Sequence, residues 1–190
     1  MAERLVTDRL ILRSWEMEDV PAAFEIFGHA DVARWLSPIM DRVPDLAAMR
    51  VLLRQWIVED LRAQPPTGRW CVQRREDAAV IGGGTLLPLP PGGEDLELGW
   101  QLHPAAWKQG YASEATYAMA RWAFSHDADE LYAVVRPENT RAVSAIRRNG
   151  MEWVGETGKY FGQPMQLYRL RPADLDQALP GVLPPGFEPE

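Results

Sequence analysis

The first third of the chain shows an extended hydrophobic pattern followed by helical ones. Residues 5–13 are rich in aliphatic and β-branched side chains interspersed with polar ones, which predicts an opening strand. Farther on, apolar residues recur at helical spacing with charged residues on other faces. Asp19 before Val20-Pro21 supplies a start signal, and Pro65-Pro66 a stop signal. The helices predicted here are Asp19–Gly28, Ala33–Met40 and Asp45–Gln64.

The rest of the chain combines a block of strands with an alternation of strands and helices. Runs separated by polar or Pro/Gly-rich turns predict an antiparallel meander of Arg69–Arg75, Val80–Leu87 and Leu96–Leu102. The later elements are the helices Tyr111–Ser125 and Asn139–Asn149 and the strands Leu131–Val135, Glu152–Gly155 and Met165–Arg171. A mixed α/β domain is therefore expected over residues 5–171. Prolines near the end predict a poorly ordered tail at residues 172–190.

Composition narrows the class of protein. The 190 residues are 46% hydrophobic and 25% charged, which is typical of one globular domain. The net charge of −7 argues against general nucleic-acid binding, so any polyanion must be held by a local site. No stretch approaches the roughly 18 apolar residues of a membrane span, and no signal peptide is recognisable. We therefore expect a cytoplasmic protein with neither membrane nor nucleic acid as partner, in which the single cysteine, Cys71, is a buried, inert thiol.

The segment from Leu98 to Ala115 carries the main candidate chemistry. Its pattern predicts a strand that ends at Pro104, a turn, and a helix that begins near Gly110. The free N–H groups and partial positive charge of a first helical turn bind phosphate groups. Gly110 and Ala112 are small enough to let a pyrophosphate approach the backbone. The same residues also suit a tight turn and ordinary packing, and the Gly-Lys-Ser/Thr run of a nucleotide P-loop is missing.

Three segments carry a family resemblance. Trp107-Lys108-Gln109-Gly110-Tyr111-Ala112 resembles the acyl-CoA loop of the GCN5-related N-acetyltransferase superfamily, Gln/Arg-x-x-Gly-x-Gly/Ala, although Trp107 departs from its first position. The continuation to Ala115 and the opening Thr7–Arg13 are similar to the branch of ribosomal-protein N-terminal acetyltransferases. Pro137–Met151 resembles the later Asn-led helix. The resemblance implies an acyl-CoA N-acyltransferase fold, with a mostly antiparallel sheet of about six to seven strands, splayed near the CoA site and flanked by helices.

The resemblance also implies a reaction and a binding site. The reaction is transfer of an acetyl group from acetyl-CoA to a primary amine, on a peptide or protein N-terminus or on a small molecule, with no metal. The acetyl-CoA contacts that it implies are Gln101, Leu102, His103, Trp107, Lys108, Gln109, Gly110, Tyr111, Ala112, Ser113, Asn139 and Arg141. The first three would offer unpaired backbone groups beside the splayed strand. Arg141 is favoured among a basic cluster made of Arg136, Arg141, Arg147 and Arg148, although a solvated helix face would look the same.

The catalytic groups are less clearly marked in the sequence. Glu97 matches a position where the family often carries an acid, so it is the candidate general base, with a solvent-facing strand residue as the alternative. The family's usual tyrosine acid is replaced by Ile146. Ser144 is the nearby hydroxyl and the candidate general acid, although the branch's serine aligns with Ala142. Other candidate proton donors are Tyr160, Tyr168 and water.

Several alternatives stay open at this stage. The chain could bind acyl-CoA as a sensor without turnover, or use another acyl donor or acceptor. Candidate walls of a substrate pocket are Trp35, Trp70, Trp100 and Trp153, which could equally be core residues. No sequence motif identifies the acceptor amine. The sequence also does not decide between a monomer and a homodimer.

Overall fold

A mixed sheet with helices on both faces is formed by residues 2–38 and 40–177, which a computed structural model describes. The strands are β1 (Leu5–Val6), β2 (Leu10–Arg13), β3 (Gly68–Arg74), β4 (Val80–Pro88), β5 (Leu96–Leu102), β6 (Leu131–Val135), β7 (Glu152–Thr157) and β8 (Met165–Leu170). The helices are α1 (Val20–Phe27), α2 (Ala30–Ala33), α3 (Leu46–Asp60), α4 (Tyr111–Phe124), α5 (Thr140–Arg148) and α6 (Pro172–Gln177). The meander strands agree with the sequence-based bounds to within a residue at each end.

The strand order places one weak junction in the middle of the sheet. The order is β1-β2-β3-β4-β5-β6-β8-β7, and all neighbours are antiparallel except β5 and β6. The parallel contact between these two strands has a single register pair, Glu97 with Tyr132. Beyond Glu97, β5 has no registered partner on the β6 side among the described residues. The strands therefore separate, and the expected splayed, mostly antiparallel sheet is confirmed.

Two neighbouring glycines of β4 let helices approach the sheet from opposite faces. A Cβ on Gly83 would lie 3.1 Å from the Trp15 ring and 3.3 Å from that of Phe27. A Cβ on Gly84 would lie 2.6 Å from the sulfur of Met119 in α4. Since successive strand residues point to opposite faces, α1 covers one face and α4 the other. Each helix buries a separate apolar cluster against the sheet.

The predicted opening strand over residues 5–13 is wrong in one respect, because the chain forms the antiparallel hairpin β1–β2 instead. Thr7 makes the turn. Its N–H donates to the Leu10 carbonyl at 3.0 Å, and the Leu10 N–H donates to Thr7 Oγ1 at 2.9 Å. The hairpin splits one expected strand into two, so the described part of the sheet has eight strands rather than six to seven.

Other expectations need correction at element ends. The helix predicted at Ala33–Met40 is wrong, because the chain forms the short helix α2 earlier and then turns ahead of Pro38. Helix α3 ends at Asp60 rather than at Gln64. Residues 172–177 form α6, so the predicted disordered tail does not begin at residue 172, and its remainder lies outside the described residues. None of the helices in the described ranges is long and apolar enough to cross a membrane.

Candidate active site

A cavity of about 480 Å³ lies where β5 and β6 separate. Its lining includes Gln101 and Leu102 from β5 and Val134 and Val135 from β6. Of the sequence-predicted site residues, the cavity brings together Glu97, Gln101, Leu102, Trp107, Lys108, Gly110, Tyr111, Ala112, Asn139 and Arg141. The junction of the sheet is thus also the place where the candidate residues meet.

The turn from Trp107 to Ala112 forms one wall of this cavity. The Trp107 indole N–H donates to the Leu102 carbonyl at 2.8 Å, which ties the turn to the end of β5. Lys108 and Gly110 have positive φ angles of 62° and 83°, and Gly110 is the residue before the first turn of α4. No side chain of the described residues caps this helix start. Its first amides therefore remain available to an anion that enters the cavity.

A buried carboxylate fixes this helix start to the β1–β2 hairpin. Glu114, in the first turn of α4, accepts from Thr7 Oγ1 at 2.5 Å and from the Arg9 backbone N–H at 2.9 Å. The Arg9 guanidinium donates to Glu114 at 2.7 Å and to the Gln109 carbonyl at 2.9 Å. The same guanidinium lies 4.6 Å from the centroid of the Tyr111 ring. Arg9 thus braces the turn from outside, a link that sequence reasoning missed, although it joins two of the motifs that carried the resemblance.

The start of α5 faces the turn across the cavity. Asn139 caps this helix, because its Oδ1 accepts from the Ala142 N–H at 3.2 Å. Asn139 also lines the cavity, so its amide nitrogen is the part left for a ligand. The guanidinium carbon of Arg141 lies 3.4 Å from the centroid of the Trp107 ring, a cation–π contact. The stacked, exposed guanidinium places a fixed positive charge at the mouth of the cavity.

Glu97 lies on the face of the sheet that α1 covers. Gln101 is paired directly with Gly83, and paired residues of antiparallel strands share a face. Glu97 is four residues before Gln101 on the same strand, so its side chain points to that face too. Glu97 also lines the cavity. Burial disfavours its charged form and raises its pKa from 4.5 to about 7, although a hydrogen bond from the Val134 backbone lowers the pKa in part. No described residue makes an ion pair with it. A carboxyl group with this pKa exchanges a proton near neutral pH.

Four predicted residues are not among the described residues that line the cavity. The His103 N–H donates to the Ile81 carbonyl at 2.9 Å, so this one of the backbone groups expected to be free is paired. Gln109 is exposed, and its side-chain amide donates to the Ala105 carbonyl at 2.7 Å. Ser113 is buried inside α4. Ser144 is exposed on α5, and its hydroxyl donates to the Thr140 carbonyl at 2.8 Å, so it is not positioned as a general acid.

The alternative proton donors also lie away from the cavity. The Tyr160 hydroxyl donates to Asp95 at 2.8 Å, and the Tyr168 hydroxyl donates to Gln166 at 3.0 Å. Both tyrosines are buried and neither lines the cavity. Ile146, which replaces the family's tyrosine, does line it. None of the three hydroxyl side chains predicted as proton donors lines the cavity, which leaves water as the candidate proton donor.

The remaining candidates divide between cavity and core. Trp35 and Trp100 line the cavity, whereas Trp70 is fully buried and Trp153 is exposed. Cys71 is buried and free, and burial raises the pKa of its thiol, as expected for an inert residue. Among the described residues, no group of His, Cys, Asp and Glu could hold a metal ion.

Curated proteins named as N-acetyltransferases resemble this chain over most of its length. A Bacillus licheniformis protein named uncharacterized N-acetyltransferase p20 is 26% identical over 145 residues, or 76% of this chain and 79% of the relative. YoaA of Bacillus subtilis, also named an N-acetyltransferase, is 25% identical over 160 residues, or 84% and 88% of the two chains.

Solved structures share the fold at lower sequence identity. RimJ of Mycobacterium smegmatis, solved in complex with CoA-disulfide, gives a TM-score of 0.77 at 17% identity and covers 93% of this chain and 90% of its own. RimL, a ribosomal L7/L12 α-N-protein acetyltransferase solved with coenzyme A, gives 0.73 at 18% identity, with 89% and 98% covered. The acetyltransferase (GNAT) domain family matches residues 9–152, a range that holds Glu97, the turn from Trp107 to Ala112 and α5. This chain therefore belongs to the GNAT acetyltransferase family.

Proposed function

We propose that this chain is an acetyl-CoA-dependent N-acetyltransferase that acts on a primary amine, on a peptide or protein N-terminus or on a small molecule. The amine attacks directly while both substrates are bound, and Glu97 is the general base. The observation that carries the proposal is that one cavity is lined by both Gly110, at an uncapped helix start, and Glu97, whose pKa is about 7. A phosphate-binding turn and a proton acceptor thus open into the same space.

The residues around the turn fit the chemistry of acetyl-CoA. A diphosphate would accept hydrogen bonds from the first amides of α4, beside Gly110, because no side chain caps this helix start. Lys108 and Arg141 add positive charge in a protein whose net charge is −7. The side of β5 without a registered strand partner, from Gly99 to Leu102, would offer backbone groups to the pantetheine arm, apart from the Leu102 carbonyl that accepts from Trp107. These residues hold and orient the thioester and supply the polar setting in which its carbonyl reacts.

The chemical step requires a neutral amine. The amine nitrogen forms a bond to the acetyl carbonyl carbon, the carbon–sulfur bond breaks, and the sulfur leaves as a thiol. Glu97 takes the proton that the nitrogen loses, directly or through a water molecule. An α-amine with a pKa of about 7.7–8.0 is matched to a base with a pKa of about 7, whereas a lysine near 10.4 is harder to deprotonate. Water supplies the proton to the departing sulfur.

Measuring thiol release and ligand binding on the same preparation tests the proposal. The protein is incubated with acetyl-CoA and a panel of primary amines, and free thiol is followed while calorimetry measures CoA affinity. We expect amine-dependent thiol release together with an acetylated product in mass spectra. Binding of CoA without turnover on any amine would instead identify a sensor, and turnover only with a longer acyl-CoA would reassign the donor.

A further inference from the structure

Aromatic side chains from separate parts of the chain line the cavity. We call this set the aromatic wall, and its members are Trp15, Phe27, Trp35, Trp56 and Phe161. The rings of Trp15, Phe27 and Trp56 contact each other, with centroids 5.0 to 6.3 Å apart and planes tilted by 50° to 73°. Such tilted and edge-on contacts hold the rings in place. The cavity is therefore bounded by a rigid apolar surface on this side.

Glu97 and this wall belong to one space. Gly83, which shares a face with Glu97 through its pairing with Gln101, lies against Trp15 and Phe27. Trp35, in the turn after α2, and Phe161, in the loop before β8, line the same cavity. Along β5, Glu97 lies four residues, or about 13 Å, from the Gly83–Gln101 pair. The carbon skeleton of an amine held at Glu97 would extend from there towards these rings within the same cavity.

The other acidic groups on the lining already have partners. Asp31 makes an ion pair with Arg34 at 3.2 Å, and Glu59 makes one with Arg69 at 2.8 Å. Arg136, also on the lining, donates to the backbone carbonyls of residues 34 and 36 at 2.9 and 3.1 Å. Glu97 is thus the carboxylate on the described lining without an ion pair. Glu97 can bind one cationic nitrogen, whereas a second cationic group of the same ligand would meet no unpaired carboxylate on the described lining.

We infer that the acceptor is a monoamine carried on an aromatic or bulky apolar group, rather than a polyamine or an amino sugar. This inference rests on the proposed function and adds the substrate class to it. Burying an apolar body against the wall favours such an acceptor through the hydrophobic effect. Several charged nitrogens, or hydroxyl groups laid against aromatic rings, would instead lose their water without gaining partners from those rings.

Acetyl-transfer kinetics with matched acceptors test the inference. The panel is 2-phenylethylamine, n-propylamine, spermidine and glucosamine, each with saturating acetyl-CoA. We expect kcat/KM for 2-phenylethylamine to exceed that for n-propylamine by about 30-fold, since burial of the added ring stabilises the bound state. Spermidine and glucosamine should fall below n-propylamine. Equal or higher kcat/KM for spermidine or glucosamine would overturn the inference and leave the proposed function in place.

Two substitutions in the aromatic wall connect the preference to its cause. Trp35→Ala and Phe161→Ala should each lower kcat/KM for 2-phenylethylamine by about tenfold and change the value for n-propylamine less than threefold. Trp153→Ala removes an exposed tryptophan elsewhere and is the matched control, with no change expected. Circular dichroism confirms folding of each variant. Equal losses for both amines in the wall variants would show that the wall does not recognise the apolar body.

A binding measurement separates the two claims. Calorimetry with 2-phenylethylamine, on protein saturated with CoA, needs no turnover. If no amine is acetylated but this probe binds, and Trp35→Ala weakens its binding, the proposed function is wrong while the apolar amine-binding site stands. If turnover and probe binding are both absent, both claims fail.

Discussion

Glu114 holds Arg9 in an ion pair of 2.6 Å, and through it the second strand of the sheet is fixed to the first turn of α4. The carboxylate is almost fully buried, whereas the guanidinium is half-exposed and also contacts the Gln109 carbonyl and the Tyr111 ring. Thr7 donates to the same carboxylate. The geometry of the turn that would hold the diphosphate therefore depends on a hairpin 105 positions earlier in the chain.

The first prediction concerns this contact. Glu114→Gln keeps the size of the side chain but removes the charge that Arg9 and Thr7 share, so we expect the free energy of unfolding to fall by about 1–3 kcal/mol. CoA affinity should also fall, because the turn loses its brace. Glu152→Gln, which alters an exposed carboxylate paired with Arg169, is the control and should leave the melting temperature unchanged. Thermal melts followed by circular dichroism, with calorimetry for CoA, check both. Equal melting temperatures for the two variants would contradict the prediction.

The second prediction concerns Gly110. Its φ of 83° is in the left-handed region, so Gly110→Ala should cost about 1–2 kcal/mol of stability. Gly110→Glu has the same backbone strain and adds a negative charge where the diphosphate would lie. We expect it to raise the Kd for CoA at least about 100-fold, or about 2.7 kcal/mol, with the alanine variant much closer to the parent. Calorimetry measures the affinities. A glutamate variant that folds and binds CoA normally would remove the turn from the site.

The third prediction concerns Arg141. Because its guanidinium stacks on Trp107 at the cavity mouth, Arg141→Ala should weaken CoA binding about tenfold at low salt. The loss should shrink as salt is added, since screening weakens the contribution of an exposed charge. Arg147→Ala is the matched control, an exposed arginine of α5 that does not line the cavity. Titrations at two salt concentrations measure both variants, and similar losses in the two would indicate only a general effect of charge.

The fourth prediction concerns the pH dependence of the reaction. If Glu97 is the general base, as proposed, only its ionised form is active, and kcat/KM should rise with pH through an apparent pKa of about 7. An acceptor of low basicity, such as 2,2,2-trifluoroethylamine, keeps the amine neutral and isolates the enzyme's own titration. Glu97→Gln should abolish this limb and lower kcat/KM by about 100-fold, with CoA affinity near that of the parent. Stopped or continuous thiol assays from pH 5.5 to 9 supply the profile. A profile unchanged by the substitution would remove Glu97 from the mechanism.

The fifth prediction concerns stability at the same residue. Folding raises the pKa of Glu97 from 4.5 to about 7, so the folded state binds the proton more tightly than the unfolded state. The contribution of Glu97 to the free energy of unfolding is therefore most favourable below pH 4.5, where the side chain is protonated in both states. This contribution is lost as the pH rises towards 7 and the buried side chain ionises. Gln cannot ionise, so Glu97→Gln should have a higher melting temperature than the parent at pH 8 and an equal one at pH 4.5. Scanning fluorimetry at both values checks this, and equal melting temperatures at pH 8 would argue against burial of the charge.

Local signals made part of this architecture predictable. The meander follows from alternating runs between turn residues, and the start of α4 follows from Gly110 after an apolar strand. Glu97 and the turn from Trp107 to Ala112 could be placed in one region because strand, turn and helix are consecutive in the sequence. These features depend on short stretches of sequence, which is why their bounds agree closely with the structure.

The features that were missed depend on distant contacts. The turn of the β1–β2 hairpin is held by Glu114, more than 100 positions away in the sequence. No local sequence pattern predicts this contact. Ser144 is near the motif in sequence, yet the cavity side of α5 is formed by Arg141, Ala142, Ala145 and Ile146, and the serine points away. The rotation of a short helix about its own axis is set by its packing against the rest of the protein. The residues next to Ser144 in the sequence do not determine that packing.

The single register pair between Glu97 and Tyr132 has a mechanical consequence. It divides the sheet into a block of five strands and a block of three that share one short seam. An extended molecule bound in the gap would contact both blocks and add interactions between them. Occupancy of the gap should therefore tighten the sheet as a whole, and slow amide exchange in β6 and β8 as well as in β5.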